Sequence, residues 1–330
     1  MTGALAEIVF CGLIILVAGT VLTRCADRIA EATGLGRVFV GGVFLAGATS
    51  LPELSVDLSA VRMGSPDLAA GDLLGSSLMN LLILAGFDSA GFSTRRAFGS
   101  DSRHHALSAL LAVFMTAWVG LAAAGGGGPE ALGAGLFSWV LLPLYLIGLR
   151  VTWLDQGLGE AARRLERPDR DLLREIARPV LGYAAAALVV FLTAPRLAHA
   201  ADRVAQLSGL GRTFVGTTLL AVATSLPELV STIAAFRLGS PDLAMGNIFG
   251  SNAFNMLLFL PLDLAMPGPF FAAVGPAHAL TAFAVILAAT LGVMGQVLKP
   301  RERRWFLEPS AEIIGLLIVG LLWLLYRGRG

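Results

Sequence analysis

Two glutamates, Glu53 and Glu228, close the same pentapeptide, Thr-Ser-Leu-Pro-Glu, and each lies inside an otherwise apolar stretch. Downstream of each comes a Gly-Ser pair and then an asparagine. Thr49 and Glu53 are four residues apart, as are Ser76 and Asn80, Thr224 and Glu228, and Ser251 and Asn255. On a helix that spacing puts both members on one face, one turn apart. Every candidate ligand is an oxygen: carboxylate, hydroxyl, amide or backbone carbonyl. Such donors select Ca²⁺, Na⁺, Mg²⁺ or Mn²⁺ over softer metals. Two carboxylates balance one Ca²⁺ or two Na⁺, and protons compete for the same groups.

Pro52 and Pro227 stand one residue before each glutamate. A proline within a helix removes one N–H and clashes with the carbonyl four residues back, here those of Ala48 and Ala223. Carbonyls freed at membrane depth need a partner, and in transporters that partner is often a cation. A carboxylate within a bilayer costs roughly 2.5–3.5 kcal/mol, so two in matching positions argue for function. Asp57 is placed near the edge of its span, leaving Glu53 and Glu228 as the acids expected well inside. Gly75 and Gly250 are read as packing glycines.

These side chains need helices to hold them in a membrane. Of the 330 residues, 56% are hydrophobic and 14% charged, and the charges gather in short clusters. Mean hydropathy is +0.76. A soluble domain carries nearer a quarter charged residues, so a polytopic helical membrane protein follows. Ten spans are expected, near 4–23, 38–61, 67–87, 104–124, 129–149, 178–199, 213–236, 242–262, 270–294 and 310–326. The N-terminus lacks the marks of a cleaved signal peptide, so the first run is read as a retained span.

A shift of 175 residues aligns Gly34–Asp88 with Gly209–Asp263 without a gap, with 30 identities in 55 positions. Each copy covers two spans, and five spans separate the copies. Because five is odd, the copies cross the membrane in opposite directions, the inverted repeat of many secondary transporters. The expected fold is therefore all-α: ten transmembrane helices as two inverted five-helix halves, with discontinuous helices at the centre. Residues 1–149 form the first half, 150–177 an arginine-rich amphipathic segment at the inner surface, and 178–330 the second half. Lys and Arg accumulate on one side, which predicts both termini outside.

Other chemistries find little support. Cys11 and Cys25 form no CxxC pattern and read as buried small side chains. His104, His105, His199 and His278 fall near span ends, and no His-Glu-x-x-His occurs, so an intramembrane hydrolase lacks its parts. The Gly125–Gly128 run precedes no Lys-Ser/Thr helix start and reads as an outer loop.

The segments GATSLPE…GSSLMN and VATSLPE…GSNAFN resemble the repeats of the cation/calcium exchanger superfamily, most closely prokaryotic sodium/calcium exchangers. That resemblance implies Na⁺ entry driving Ca²⁺ out by alternating access, with spans one and six as sliding gates. It implies Glu53 and Glu228 as shared carboxylates, and Thr49, Ser50, Ser76, Thr224, Ser225 and Ser251 as hydroxyl or carbonyl ligands. Asn80 and Asn255 become the central amide positions, and the carbonyls of Ala46 and Ala221 Na⁺ ligands. No cofactor is implied beyond the transported Ca²⁺ and Na⁺. The protein is expected as a monomer in the bilayer, the inner membrane if prokaryotic, with no nucleic-acid partner. Two departures stand out: Ser77 replaces the Asn retained as Asn252, and Asn255 stands where some relatives carry Asp. The alternative coupling ion is H⁺; that branch characteristically has Asn-Ala-Thr-Glu in place of Thr-Ser-Leu-Pro-Glu.

Overall fold

The computed structural model describes residues 2–89, 102–156, 170–208, 221–298 and 311–327. Helices α1 (Thr2–Thr33), α2 (Arg37–Phe39), a π-helical segment Val40–Leu45, α3 (Ala46–Arg62), α4 (Pro66–Ser89) and α5 (Ser102–Gly125) come first. A two-stranded hairpin, β1 (Glu130–Ala131) and β2 (Ala134–Gly135), leads into α6 (Leu136–Asp155) and α7 (Arg170–Ser208). Next come α8 (Ala221–Thr224), α9 (Leu226–Arg237) and α10 (Pro241–Ala265). The short α11 (Phe270–Ala273), α12 (Ala277–Leu298) and α13 (Ala311–Arg327) complete the order.

Among the described residues, eight helices are long and apolar enough to cross a membrane. The seventh and tenth expected spans are met by shorter described helices, α8 with α9, and α13. Residues 209–220, the start of the second repeat copy, lie outside the described residues, as do 157–169 of the central segment. The remainder of that segment is not a separate surface helix. Residues 170–177 belong to α7, whose 39 residues reach about 58 Å at 1.5 Å per residue.

Two expected span starts move. The fifth begins at Leu136 rather than 129, because Leu132 (φ 50°) and Gly133 (φ 82°) take left-handed conformations that close a tight hairpin. The ninth begins its long helix at Ala277, after the short α11.

The repeated Gly-Ser-Pro-Asp is the turn inside each copy. Gly64 and Gly239 both have φ +72°, a conformation that favours glycine and ends a helix. The amides of Ser65 and Ser240 reach back to the carbonyls of Ala60 and Ala235 at 2.9 and 3.0 Å. Pro66 and Pro241 then start the next helix where no N–H is missed. Asp67 and Asp242, in the first turn of α4 and α10, meet His278 and His105 at 3.1 and 3.0 Å. Each turn is thus tied to a helix of the opposite half.

Burial separates centre from periphery. Within the most apolar part of each helix, 83% of α4 and 72% of α10 is buried, against 28% of α1 and 17% of α7. α4 and α10 form the core; α1 and α7 pack along each other at the edge. Close approach at the core uses glycine. A methyl on Gly246 would meet the Val38 carbonyl oxygen at 2.5 Å, and one on Gly250 would collide with the backbone of Gly42. This small-residue contact seats the π-helical segment on α10.

Candidate functional site

α3 and α9 bring the two Thr-Ser-Leu-Pro-Glu segments to the middle of this core, facing the Gly-Ser stretches of α4 and α10. The irregular backbone differs between halves. In the second, the helix breaks at Ser225 and restarts as α9 with Pro227 in its first turn. In the first, α3 runs through Pro52 and the irregularity lies upstream, in the π-helical Val40–Leu45. A π-bulge is itself a frequent mark of a functional site. The proline-broken turn expected in both copies is therefore seen only in the second.

All twelve expected residues, Ala46, Thr49, Ser50, Glu53, Ser76, Asn80, Ala221, Thr224, Ser225, Glu228, Ser251 and Asn255, are buried. Hydrogen bonds join the halves. Ser50 donates to Glu228 Oε1 at 3.2 Å, Ser76 and Ser225 share a bond of 2.8 Å, and Asn255 donates to Ser76 at 3.2 Å. Within each half, Ser76 donates to Glu53 Oε1 at 3.3 Å and Ser251 to Glu228 Oε1 at 3.5 Å. Thr49 and Thr224 lie 3.3 Å from the carbonyls of Ala46 and Ala221.

One oxygen at each of four positions has no hydrogen-bond partner: Glu53 Oε2, Glu228 Oε2, Asn80 Oδ1 and Asn255 Oδ1. Buried acceptors without donors are costly, and a cation satisfies several at once. Among the described residues no lysine or arginine is buried to play that part. No three of His, Cys, Asp and Glu cluster tightly enough among them to hold a metal ion. An ion here would be held by two carboxylates and neutral oxygens, a donor set that suits hard cations.

The Ser77 departure has a visible consequence. Its hydroxyl turns back to the Leu73 carbonyl at 3.0 Å, while Asn252 accepts from Asn80 at 2.9 Å and donates to the Ser77 carbonyl at 3.3 Å. The Asn of the Gly-Ser-Asn triplet thus makes its contact to the other half from α10 alone.

The sequence reading missed two acids. Asp57, expected near the edge of its span, is fully buried on α3, and Asp72 is fully buried on α4. A signal existed: Asp72, Ser76 and Asn80 are spaced by four, as are Asn247, Ser251 and Asn255, and Thr49, Glu53 and Asp57. Each stripe runs one turn longer than the motif that first drew notice.

Comparison with known proteins follows the same lines. The profile of the sodium/calcium exchanger protein family matches residues 4–153 and 179–326. The putative antiporter CaxA of Alkalimonas amylolytica is 28% identical over 309 residues, covering 91% of this chain and 92% of that one. The sodium/calcium exchanger MaX1 of Methanosarcina acetivorans is 47% identical over 74 residues, 20% of this chain and 21% of that one. A solved structure of the sodium-calcium exchanger NCX_Mj, soaked with Na⁺ and Sr²⁺, superposes with a TM-score of 0.70 at 21% identity. That match covers 100% of this chain and 99% of the other, and it shows the fold.

Proposed function

The chain belongs to the sodium/calcium exchanger protein family, and we propose that it exchanges Na⁺ for Ca²⁺ across the membrane by alternating access at the Glu53–Glu228 site. In this reading ten helices form two inverted halves. Glu53 and Glu228 are the shared carboxylates, Asn80 and Asn255 the central amide ligands, and Thr49, Ser50, Ser76, Thr224, Ser225 and Ser251 the hydroxyl positions. The carbonyls of Ala46 and Ala221 complete the Na⁺ ligands. The protein needs no cofactor, and its substrates are the ions.

The observation that carries the reading is the set of four partnerless oxygens, two from carboxylates and two from amides, held in a core without a buried lysine or arginine among the described residues. One divalent ion neutralises both glutamates; two monovalent ions do the same, so one excludes the other. The doubled Thr-Ser-Leu-Pro-Glu supports Na⁺ as the coupling ion.

The test is radiolabelled Ca²⁺ uptake into proteoliposomes under an imposed Na⁺ gradient, with and without a proton gradient. Uptake should follow the Na⁺ gradient and persist when the proton gradient is collapsed. Uptake indifferent to Na⁺ that follows the proton gradient would replace Na⁺ with H⁺ as the coupling ion.

A further inference from the structure

The chain has four asparagines, Asn80, Asn247, Asn252 and Asn255, and all four are buried in the core. An asparagine amide has two unlike ends: one accepts hydrogen bonds and the other only donates. Turned the wrong way, an amide at a ligand position presents N–H groups to a cation. The side that Asn80 and Asn255 show to the glutamates therefore has to be set.

For Asn80 it is set by Asn252, which is not one of the expected ligands. Asn252 Nδ2 donates to the backbone carbonyl of Ser77 at 3.3 Å. A backbone carbonyl only accepts, so this bond decides which way the Asn252 amide is turned. Its Oδ1 then accepts from Asn80 Nδ2 at 2.9 Å. With its donor end committed, Asn80 keeps Oδ1 free of any hydrogen-bond partner. The orientation passes from a fixed helix carbonyl through one buried amide to the next.

The other half lacks this arrangement. Ser77 stands at the position equivalent to Asn252, and its hydroxyl turns back to the Leu73 carbonyl. Asn255 Nδ2 goes instead to the Ser76 hydroxyl at 3.2 Å. That hydroxyl also meets Ser225 and Glu53, at 2.8 and 3.3 Å, and it can rotate. One amide is thus tied to a backbone atom and the other to a group that turns.

We propose that Asn252 is a positioning residue, which holds the Asn80 amide with its oxygen toward the cation and acts through Asn80 rather than as a ligand. This rests on reading the Glu53–Glu228 pair as the ion site. Without Asn252, the Asn80 NH₂ group is free to turn to the partnerless carboxylate oxygens of that site. Only the fraction of chains with the oxygen inward then remains competent to bind.

Asn252→Ser installs the residue of the other half, where serine fits the equivalent helix. In equilibrium dialysis of the purified full chain against radiolabelled Ca²⁺, it should weaken binding about tenfold or more, the worth of one hydrogen bond to a charged group. Asn252→Thr, closer in volume and with the same hydroxyl, carries the same expectation should the serine variant not fold. Aspartate has an oxygen at both ends and needs no orienting. In an Asn80→Asp background, Asn252→Ser should therefore cost less than about threefold. Equal losses in the two backgrounds would reduce Asn252 to a packing residue, and no loss with Asn80 in place would overturn the proposal.

Hydrogen exchange of the chain labelled with ¹⁵N-asparagine, in choline buffer free of Ca²⁺ and Na⁺, reads the orientation itself, since only four side-chain amides carry the label. Asn252→Ser should speed proton exchange at the Asn80 NH₂ group at least about tenfold and at Asn247 by less than about threefold. An unchanged rate at Asn80, or equal gains at both, would again overturn it. Failure of the unsubstituted chain to bind Ca²⁺ would sink the ion-site reading, and the proton-exchange rate at Asn80 would still decide whether Asn252 holds its amide.

Discussion

Glu53 and Glu228 are held differently despite their matching sequences. Glu228 Oε1 accepts from Ser50 across the halves and from Ser251 within its own, whereas Glu53 Oε1 accepts from Ser76 alone. Glu→Gln keeps shape and removes charge, so Glu53→Gln and Glu228→Gln should each cut Na⁺-driven Ca²⁺ uptake at least about 100-fold, the worth of a few kcal/mol in a charged contact. Both variants should elute as the unsubstituted protein does. Wild-type-like uptake by either would remove that glutamate from the site. The glutamates were legible because an intramembrane carboxylate stands out in any apolar run. Asp57 and Asp72 were harder to see, because much of the burial of α3 and α4 comes from neighbours in the other half. Nothing in the local sequence announces those neighbours.

At the scale of elements, the punctuation was the most readable part. Gly-Ser-Pro-Asp carries its own physics: a left-handed glycine to stop one helix and a proline to start the next. What it could not show is the partner of its aspartate. His278 and His105 are far away in sequence, and only the packing of the chain's two halves on one another brings each to the turn of the opposite half. The His278 ring and the Gly275 amide both bond Asp67 Oδ1, at 3.1 and 2.7 Å. His278→Ala should lower stability by about 1–3 kcal/mol, the cost of losing a buried hydrogen bond and opening space. Thermal unfolding in detergent reads this, and an unchanged midpoint would show that the turn is held without the histidine. The hairpin at Leu132–Gly133 escaped notice because so short a turn hides easily in a hydrophobic run. Gly250→Ala belongs to this scale too. Its methyl has backbone on the far side rather than a flexible side chain. The π-helical segment must move, so thermal stability should drop by about 1–3 kcal/mol, and a variant as stable as the parent would show that α10 does not need the close crossing.

For the whole molecule, the family profile leaves only residues 154–178 and the extreme termini unmatched. The duplicated segments were visible in sequence as a gapless shift, while α1 and α7 carry no motif and were paired only through the family resemblance. The structure sets these two helices against each other outside the core, with α1 also lying along α9. In the exchange proposed above, such a pair moves relative to the helices bearing the site, and a motion of that kind is limited by the contacts along its path. Gly19 on α1 marks one of them: a methyl there would come 3.0 Å from Val230 Cγ1 on α9 and 3.6 Å from the Ser231 hydroxyl. Gly12, one contact further along, would place its methyl 3.7 Å from Leu226, an ordinary separation. Gly19→Leu should therefore wedge α1 against α9 and slow exchange by about tenfold or more. Ca²⁺ binding at equilibrium should stay within about threefold, because no ligand changes. Gly12→Ala, at the roomier contact, should slow it little. Exchange rates in proteoliposomes beside Ca²⁺ dialysis in detergent separate the two quantities. Equal losses of rate and binding in Gly19→Leu would mean that the helix supports the site instead of sliding past it, and a full rate would free α1 from the moving part altogether.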